Sequence, residues 1–136
     1  MVTSNGRILC TEDDQDTRDL LALLFDLSGF EAVCISNGEE AIARAKSEHF
    51  DLYLVDNWLP GVSGATLTQR LREFDPSTPV LFYSGAATQA EIDAAHASGA
   101  QGYLVKPVEG DRLIAEVTRL IAATRVIASA RTHTSR

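Results

Sequence analysis

Carboxylates, a hydroxyl and an ammonium follow short apolar runs at recurring points of this 136-residue chain. Glu12, Asp13 and Asp14 come directly after Arg7-Ile8-Leu9-Cys10-Thr11. Asp56 ends the run Leu52-Tyr53-Leu54-Val55 inside "DLYLVDNWLPGVSG". Ser84 and Gly85 follow the run from Pro79 to Tyr83, and Lys106 and Pro107 follow Tyr103 to Val105. Taken singly these are weak signals: an Asp after a strand is usually a turn or cap residue, and an acidic run is usually a solvated helix start. Gathered at one rim, the acids would repel each other unless a cation sat among them. Carboxylate oxygens, with water and phosphate oxygens completing the shell, suit Mg²⁺. Lys106 adds a point charge and Ser84 a hydroxyl for a phosphoryl group's oxygens. Asp56 would then be the nucleophile, forming an aspartyl phosphate.

Elements must bring these residues together, and the hydropathy pattern supplies them. Leu20, Leu21, Leu23, Leu24 and Leu27 form a helical stripe between Gln15 and Ser28, stopped by Gly29. Phe30 to Ile35 reads as a second strand, and Asn37 with Glu40 as a capping pair that opens a helix through Lys46. Leu52 to Val55 is the third strand and Gly64 to Glu73 the third helix. Pro79 to Tyr83 is the fourth strand, Thr88 to Ser98 a helix closed by Gly99, Tyr103 to Val105 the fifth strand, and Asp111 to about Ala123 the fifth helix. Five strands alternating with five helices predict an α/β fold with right-handed crossovers and a parallel sheet covered on both faces. In open sheets of this kind, sites form beyond the carboxyl ends of the strands. With a doubly wound order 2-1-3-4-5, strands one and three are neighbours and their acids converge.

These residues together resemble the receiver domain of two-component response regulators, of the chemotaxis-regulator type, from about residue 6 to about residue 123. The matching positions are Glu12-Asp13 after "RILCT", Asp56 with Pro60 and Gly64 in the loop that follows it, Ser84 in "LFYSG", Tyr103, and Lys106-Pro107. The resemblance implies a flavodoxin-like (βα)5 fold and Mg²⁺-dependent phosphoryl transfer to Asp56 from a histidine kinase or histidine phosphotransfer protein. It further implies that Asp13, Asp56 and the Trp58 backbone carbonyl hold Mg²⁺, with Glu12 acting through water. Lys106 and Ser84 would meet the phosphoryl oxygens, and Ser84 with Tyr103 would form the switch that alters the surface of the fourth helix, fifth strand and fifth helix. The family pattern puts Asp14 one residue beyond the acidic pair, as a helix cap. Arg18 and the other acids of the first helix read as a solvated face. The family also implies that the residues two beyond the acceptor and two beyond the hydroxyl residue, here Trp58 and Ala86, tune hydrolysis. Neither carries a carboxylate or amide to orient a water, and an indole could cover the phosphoryl oxygens.

Rival classes fit less well. A flavodoxin-like electron carrier needs a hydroxyl- and glycine-rich phosphate cradle where this chain has acids. A phosphorylation-independent pseudo-receiver, acting only as an interaction module, normally lacks part of the acidic set. An aspartate-nucleophile phosphatase places a second Asp where Trp58 stands. The expected role is therefore a phosphoacceptor signalling domain rather than an enzyme, with an unidentified downstream protein target.

Composition is consistent with this. Hydrophobic residues make up 45% and charged residues 23%, ordinary for a soluble domain. The net charge of -7 disfavours direct nucleic-acid contact. No apolar run is long enough to span a bilayer, and the first residues lack the regions of a signal peptide, so a cytoplasmic location is expected. Cys10 and Cys34 form no Cys-x-x-Cys motif and read as buried, reduced, small hydrophobes. Residues 1–123 are expected to form the domain, and 124–136 a basic tail, either helix extension or disordered. Leu113, Val117, Leu120, Thr124 and Ile127 form a heptad-like stripe. It reads either as the core face of the fifth helix or as a homodimer seam. Gln101-Gly102 replaces the acids that the family's winged-helix branch carries before the fifth strand's Tyr, which disfavours that branch's dimer.

Overall fold

Each apolar run folds as a strand and each amphipathic stretch as the helix that crosses back over the sheet. In the computed structural model, which describes residues 4–85 and 88–134 and the side chains of the last helix through residue 130, the strands begin with β1 (Arg7–Thr11) and β2 (Glu31–Ile35). Next come β3 (Leu52–Val55) and a short pair, β4 (Trp58–Leu59) and β5 (Val62–Ser63). The last two are β6 (Val80–Ser84) and β7 (Gly102–Val105). The helices are α1 (Gln15–Leu27), α2 (Gly38–Ser47), α3 (Gly64–Arg72), α4 (Gln89–Ser98) and α5 (Gly110–Thr134). The five-stranded sheet runs β2-β1-β3-β6-β7 with every neighbouring pair parallel. Leaving aside the antiparallel β4–β5 hairpin, this is the expected 2-1-3-4-5 order.

Alternation along the strands sends successive side chains to opposite faces, and both faces are covered. Ile8, Cys10, Leu52 and Leu54 pack with Leu21 and Phe25 of α1 and with Leu113 and Val117 of α5. Leu9, Tyr53, Val55 and Phe82 pack on the other face with Ile42 of α2, Leu67 of α3 and Ala95 of α4. Side-chain caps start the helices soon after the strand ends. The Asp14 carboxylate accepts from the Thr17 N–H at 2.9 Å, Asn37 from the Glu40 N–H at 2.9 Å and Thr88 from the Glu91 N–H at 3.2 Å. Each cap satisfies a donor that the first turn leaves open.

Two expectations need correction, and one pair of alternatives resolves toward the core. The leucine stripe of α1 does not face the core as a unit: Leu21 and Phe25 are buried, whereas Leu20, Leu23 and Leu27 are 63%, 56% and 76% exposed. The missing part of the count is Phe25, which continues the buried row one turn beyond Leu21. On α5, Leu113, Val117 and Leu120 are buried in the core, so a homodimer cannot use them. Only Ile127 of that stripe is well exposed, because α5 runs past the sheet without a break to Thr134. Finally, Cys34 is half-buried rather than buried.

The turn between α3 and β6 hangs on Asp75. Its carboxylate accepts from the Tyr53 hydroxyl at 2.6 Å and from the Ser77 and Thr78 N–H groups at 3.2 and 3.1 Å. Burial alone would raise this carboxyl, but the bonds from Tyr53 and Thr78 outweigh it and hold it below its usual value. Asp75→Asn turns one acceptor into a donor facing donors and should cost about 1–3 kcal/mol in urea unfolding at neutral pH. A depressed carboxyl stabilises the fold above its unfolded value and stops doing so as pH falls through its folded value. The gap between parent and variant should therefore close in acid, and a gap that is constant with pH would rule out this role.

Candidate functional site

The register of the sheet delivers the strand ends side by side. Thr11 pairs with Val55, Val55 with Phe82, and Ser84 with Val105, so Glu12, Asp56, Ser84 and Lys106 emerge along one rim. Backbone bonds carry the ladder past the strands: Asp56 N–H to the Thr11 carbonyl at 3.1 Å, Glu12 N–H to Ile35 at 2.9 Å, and Lys106 N–H to Ser84 at 2.9 Å. Glu12, Asp56 and Ser84 are 3%, 7% and 0% exposed, while Asp13 stands open to solvent. One oxygen from each of Glu12, Asp13 and Asp56 lies within 4.8 Å of the other two.

Such a cluster is unstable without positive charge, and Lys106 supplies it. Its ammonium bonds Glu12 Oε1 and lies 3.3 Å from Asp56 Oδ2, above the Tyr83 ring at 5.4 Å from the centroid. Burial alone would lower the Lys106 ammonium, but the bond to Glu12 and the charge of Asp56 raise it above its usual value. For Glu12 the balance goes the other way: burial raises the carboxyl more than the Lys106 bond lowers it. The Lys106–Pro107 peptide bond is cis.

Local backbone bonds aim the acids. Asp56 Oδ1 accepts the Trp58 N–H at 3.2 Å, and Glu12 Oε2 accepts the Asp14 N–H at 3.1 Å. The start of α3 comes so close that a methyl group at Gly64 would lie 2.7 Å from the Asp56 carbonyl oxygen. Only glycine permits that approach.

The hydroxyl end of the rim is equally tight. Tyr103 is half-buried and stacks on Phe82 with ring centroids 5.5 Å apart. Burial raises the titration of its phenol, which has Ser84 and Asn57 as neighbours. Asn57 in turn donates to Glu91 at the start of α4 at 3.2 Å. The Trp58 indole is 66% exposed. It stands out in solvent instead of covering Asp56, because its backbone is held between the Asp56 carboxylate and the pairing with Ser63. Ala86 lies outside the described residues.

One side chain that braces the site escaped the sequence reading. Arg18 is half-buried and donates to the Glu12 and Asp13 carbonyls at 2.9 and 2.8 Å, clamping the acidic loop from α1. A cation in a helix's first turns opposes the macrodipole, and that misfit was the available signal. Groups that orient metal ligands are worth roughly 10-fold or more in affinity. Arg18→Ala should thus weaken Mg²⁺ binding about 10-fold, read from the fluorescence of Trp58, the one tryptophan in the chain. Unchanged affinity would make Arg18 a surface residue with no part in the site.

Comparison with known proteins agrees with the geometry. The family model described as response regulator receiver domain matches residues 8–118. The cell cycle transcriptional regulator CtrA of Caulobacter vibrioides is 32% identical over 122 residues, covering 88% of this chain and 52% of that protein. The sensory/regulatory protein RpfC of Xanthomonas campestris is 29% identical over 127 residues, covering 90% of this chain and 18% of that protein. The chain thus spans about half or less of these relatives. Among solved structures, the Francisella response regulator 1452 receiver domain superposes with a TM-score of 0.82 at 26% identity, covering 88% of this chain and 98% of that one. The receiver domain of sensor histidine kinase PA1611 from Pseudomonas aeruginosa, solved with a magnesium ion in its active site cleft, has the same fold (TM-score 0.80, 23% identity, 86% and 98% covered). With the matched segment running from β1 into α5 and taking in the whole acidic rim, this chain belongs to the response regulator receiver domain family.

Proposed function

We propose that the chain works as the phosphoacceptor of a two-component phosphorelay, taking a phosphoryl group on Asp56 from a histidine kinase or histidine phosphotransfer protein. The observation that carries this is the convergence of Glu12, Asp13 and Asp56 within 4.8 Å of one another, with the Lys106 ammonium held by Glu12 and Asp56. Two nearly buried carboxylates and an exposed one leave room for waters and a phosphoryl oxygen around a hard ion, which fits Mg²⁺. Held by Asp13, Asp56 and the Trp58 carbonyl, with Glu12 acting through water, that ion would offset the charge on the transferred oxygens. An Asp56 oxygen attacks phosphorus, and the bond from phosphorus to the donor's imidazole nitrogen breaks. Lys106 exchanges a carboxylate for a phosphoryl oxygen, and Ser84 donates to another. Drawing Ser84 toward the phosphoryl group would rearrange the nearby Tyr103 phenol and shift a two-state equilibrium on the surface of α4, β7 and α5 that a downstream protein reads. This is signalling, not turnover of an external substrate.

Leu20, Leu23 and Leu27 lie along one exposed line of α1 leading up to the acidic loop, an apolar strip that an amphipathic helix presenting a phosphohistidine would cover. Incubation with acetyl phosphate and Mg²⁺ should add one phosphoryl mass. No addition under conditions that keep the protein folded would favour the pseudo-receiver instead. The acyl phosphate should be long-lived, since neither Trp58 nor Ala86 can hold a hydrolytic water. Trp58→Asn should speed phosphate release from the purified phosphoprotein about 10-fold by orienting one, and an unchanged rate would remove position 58 from the hydrolytic path.

A further inference from the structure

β1 and β2 carry a cysteine each, and the parallel register sets Cys10 directly beside Cys34. In-register neighbours point to the same face, and both side chains belong to the core under α1. Neighbouring strands lie about 4.8 Å apart, inside the Cα window of roughly 4.4–6.8 Å that a disulfide requires. Cys10 is 0% exposed, whereas Cys34 is half-buried, so one thiol can meet a small solute and the other is held behind it. The neighbouring Cys10 thiol, helped by the charge of Arg18, outweighs burial and holds the Cys34 thiol below its usual value. Neither sulfur has any part in the phosphoryl chemistry, so the pair stands or falls independently of the proposed function.

We propose that Cys10 and Cys34 are a dithiol oxidation site, which a hydroperoxide converts into an intramolecular disulfide across the β1–β2 rung. The Cys34 thiolate attacks the outer peroxide oxygen; the O–O bond breaks, and the leaving hydroxide takes up a proton to become water (an alcohol from an organic peroxide). Cys34 is now a sulfenic acid. The Cys10 sulfur attacks it, the S–O bond breaks, and hydroxide leaves as water with the Cys10 proton. Two thiols give up two electrons to one peroxide bond. Only Cys34 has to be reached from outside; the second step takes place inside the sheet.

The full chain, exposed to hydrogen peroxide and then alkylated with N-ethylmaleimide in denaturant, tests this by intact mass. The expected product is a monomer that has lost two hydrogens and takes up no maleimide, and dithiothreitol restores both alkylations. In Cys10→Ala, Cys34 should stop at the sulfenic acid and react with a dimedone probe. In Cys34→Ser, Cys10 should remain a thiol. The parent measurement needs no variant to fold. Parent protein that gains oxygen at Cys34 while Cys10 still alkylates, that forms only intermolecular dimers, or that keeps both thiols under excess peroxide overturns the proposal.

Discussion

Asp56→Asn should take up no phosphoryl group from acetyl phosphate in the time that labels the parent fully. The carboxamide has nearly the shape of the carboxylate, so Gly64, Trp58 and Lys106 keep their places around it. Its nitrogen is not a nucleophile and its oxygen carries no full charge, so the attacking group is lost while the site remains. A drop of at least about 10²-fold is expected, the scale on which a single group acting at the reacting centre is felt. The variant should not unfold, because one of three crowded carboxylates has become neutral. Stability measured beside the labelling separates loss of chemistry from loss of fold. Chelating Mg²⁺ should stop labelling of the parent as well. Equal labelling of Asp56→Asn would mean that Asp13, the exposed acid of the cluster, is the acceptor.

Much of this arrangement could be read from residue order alone. Strands buried on both faces appear as unbroken apolar runs, so Leu52 to Val55 announced itself, and whatever followed such a run had to stand at the rim. That rule placed Glu12, Asp56, Ser84 and Lys106 with no knowledge of contacts. What stayed hidden depends on which atoms of a side chain find partners. Arg18 has the sequence surroundings of a solvated helix residue, yet two loop carbonyls capture it. The exposure of Leu20, Leu23 and Leu27 was hidden because a helix with leucines on two faces does not reveal which face meets the sheet. The neighbouring cysteines needed the strand register, which no single strand encodes. The outward indole of Trp58 depended on a hairpin only two residues deep on each side, too short to show a period.

In the proposed phosphoacceptor Lys106 would do two jobs of opposite sign, and Lys106→Met should separate them. As resident cation it neutralises Glu12 and Asp56, and in doing so it competes with any ion that the same oxygens would hold. As a partner of the transferred group, the second role proposed for it, it would offset charge that Mg²⁺ alone would not reach. Methionine keeps the length of the stem and removes the charge. A unit charge about 4 Å away in a partly buried site is worth up to ~4 kcal/mol. Mg²⁺ should therefore bind the variant more tightly, by about 10-fold or more once screening is allowed for. Labelling at saturating Mg²⁺ should nevertheless fall about 10²- to 10³-fold, the cost of losing one preorganised charge at the transition state. Without Mg²⁺ the variant should also be less stable, since Glu12 is 3% exposed and loses its cation. The tighter binding should appear only above the raised titration of Glu12, because a protonated Glu12 no longer attracts the ion. Trp58 fluorescence gives the affinity and mass the labelling. If affinity and labelling fall together, Lys106 only props the site open, and the phosphoryl oxygens have to find their positive charge elsewhere.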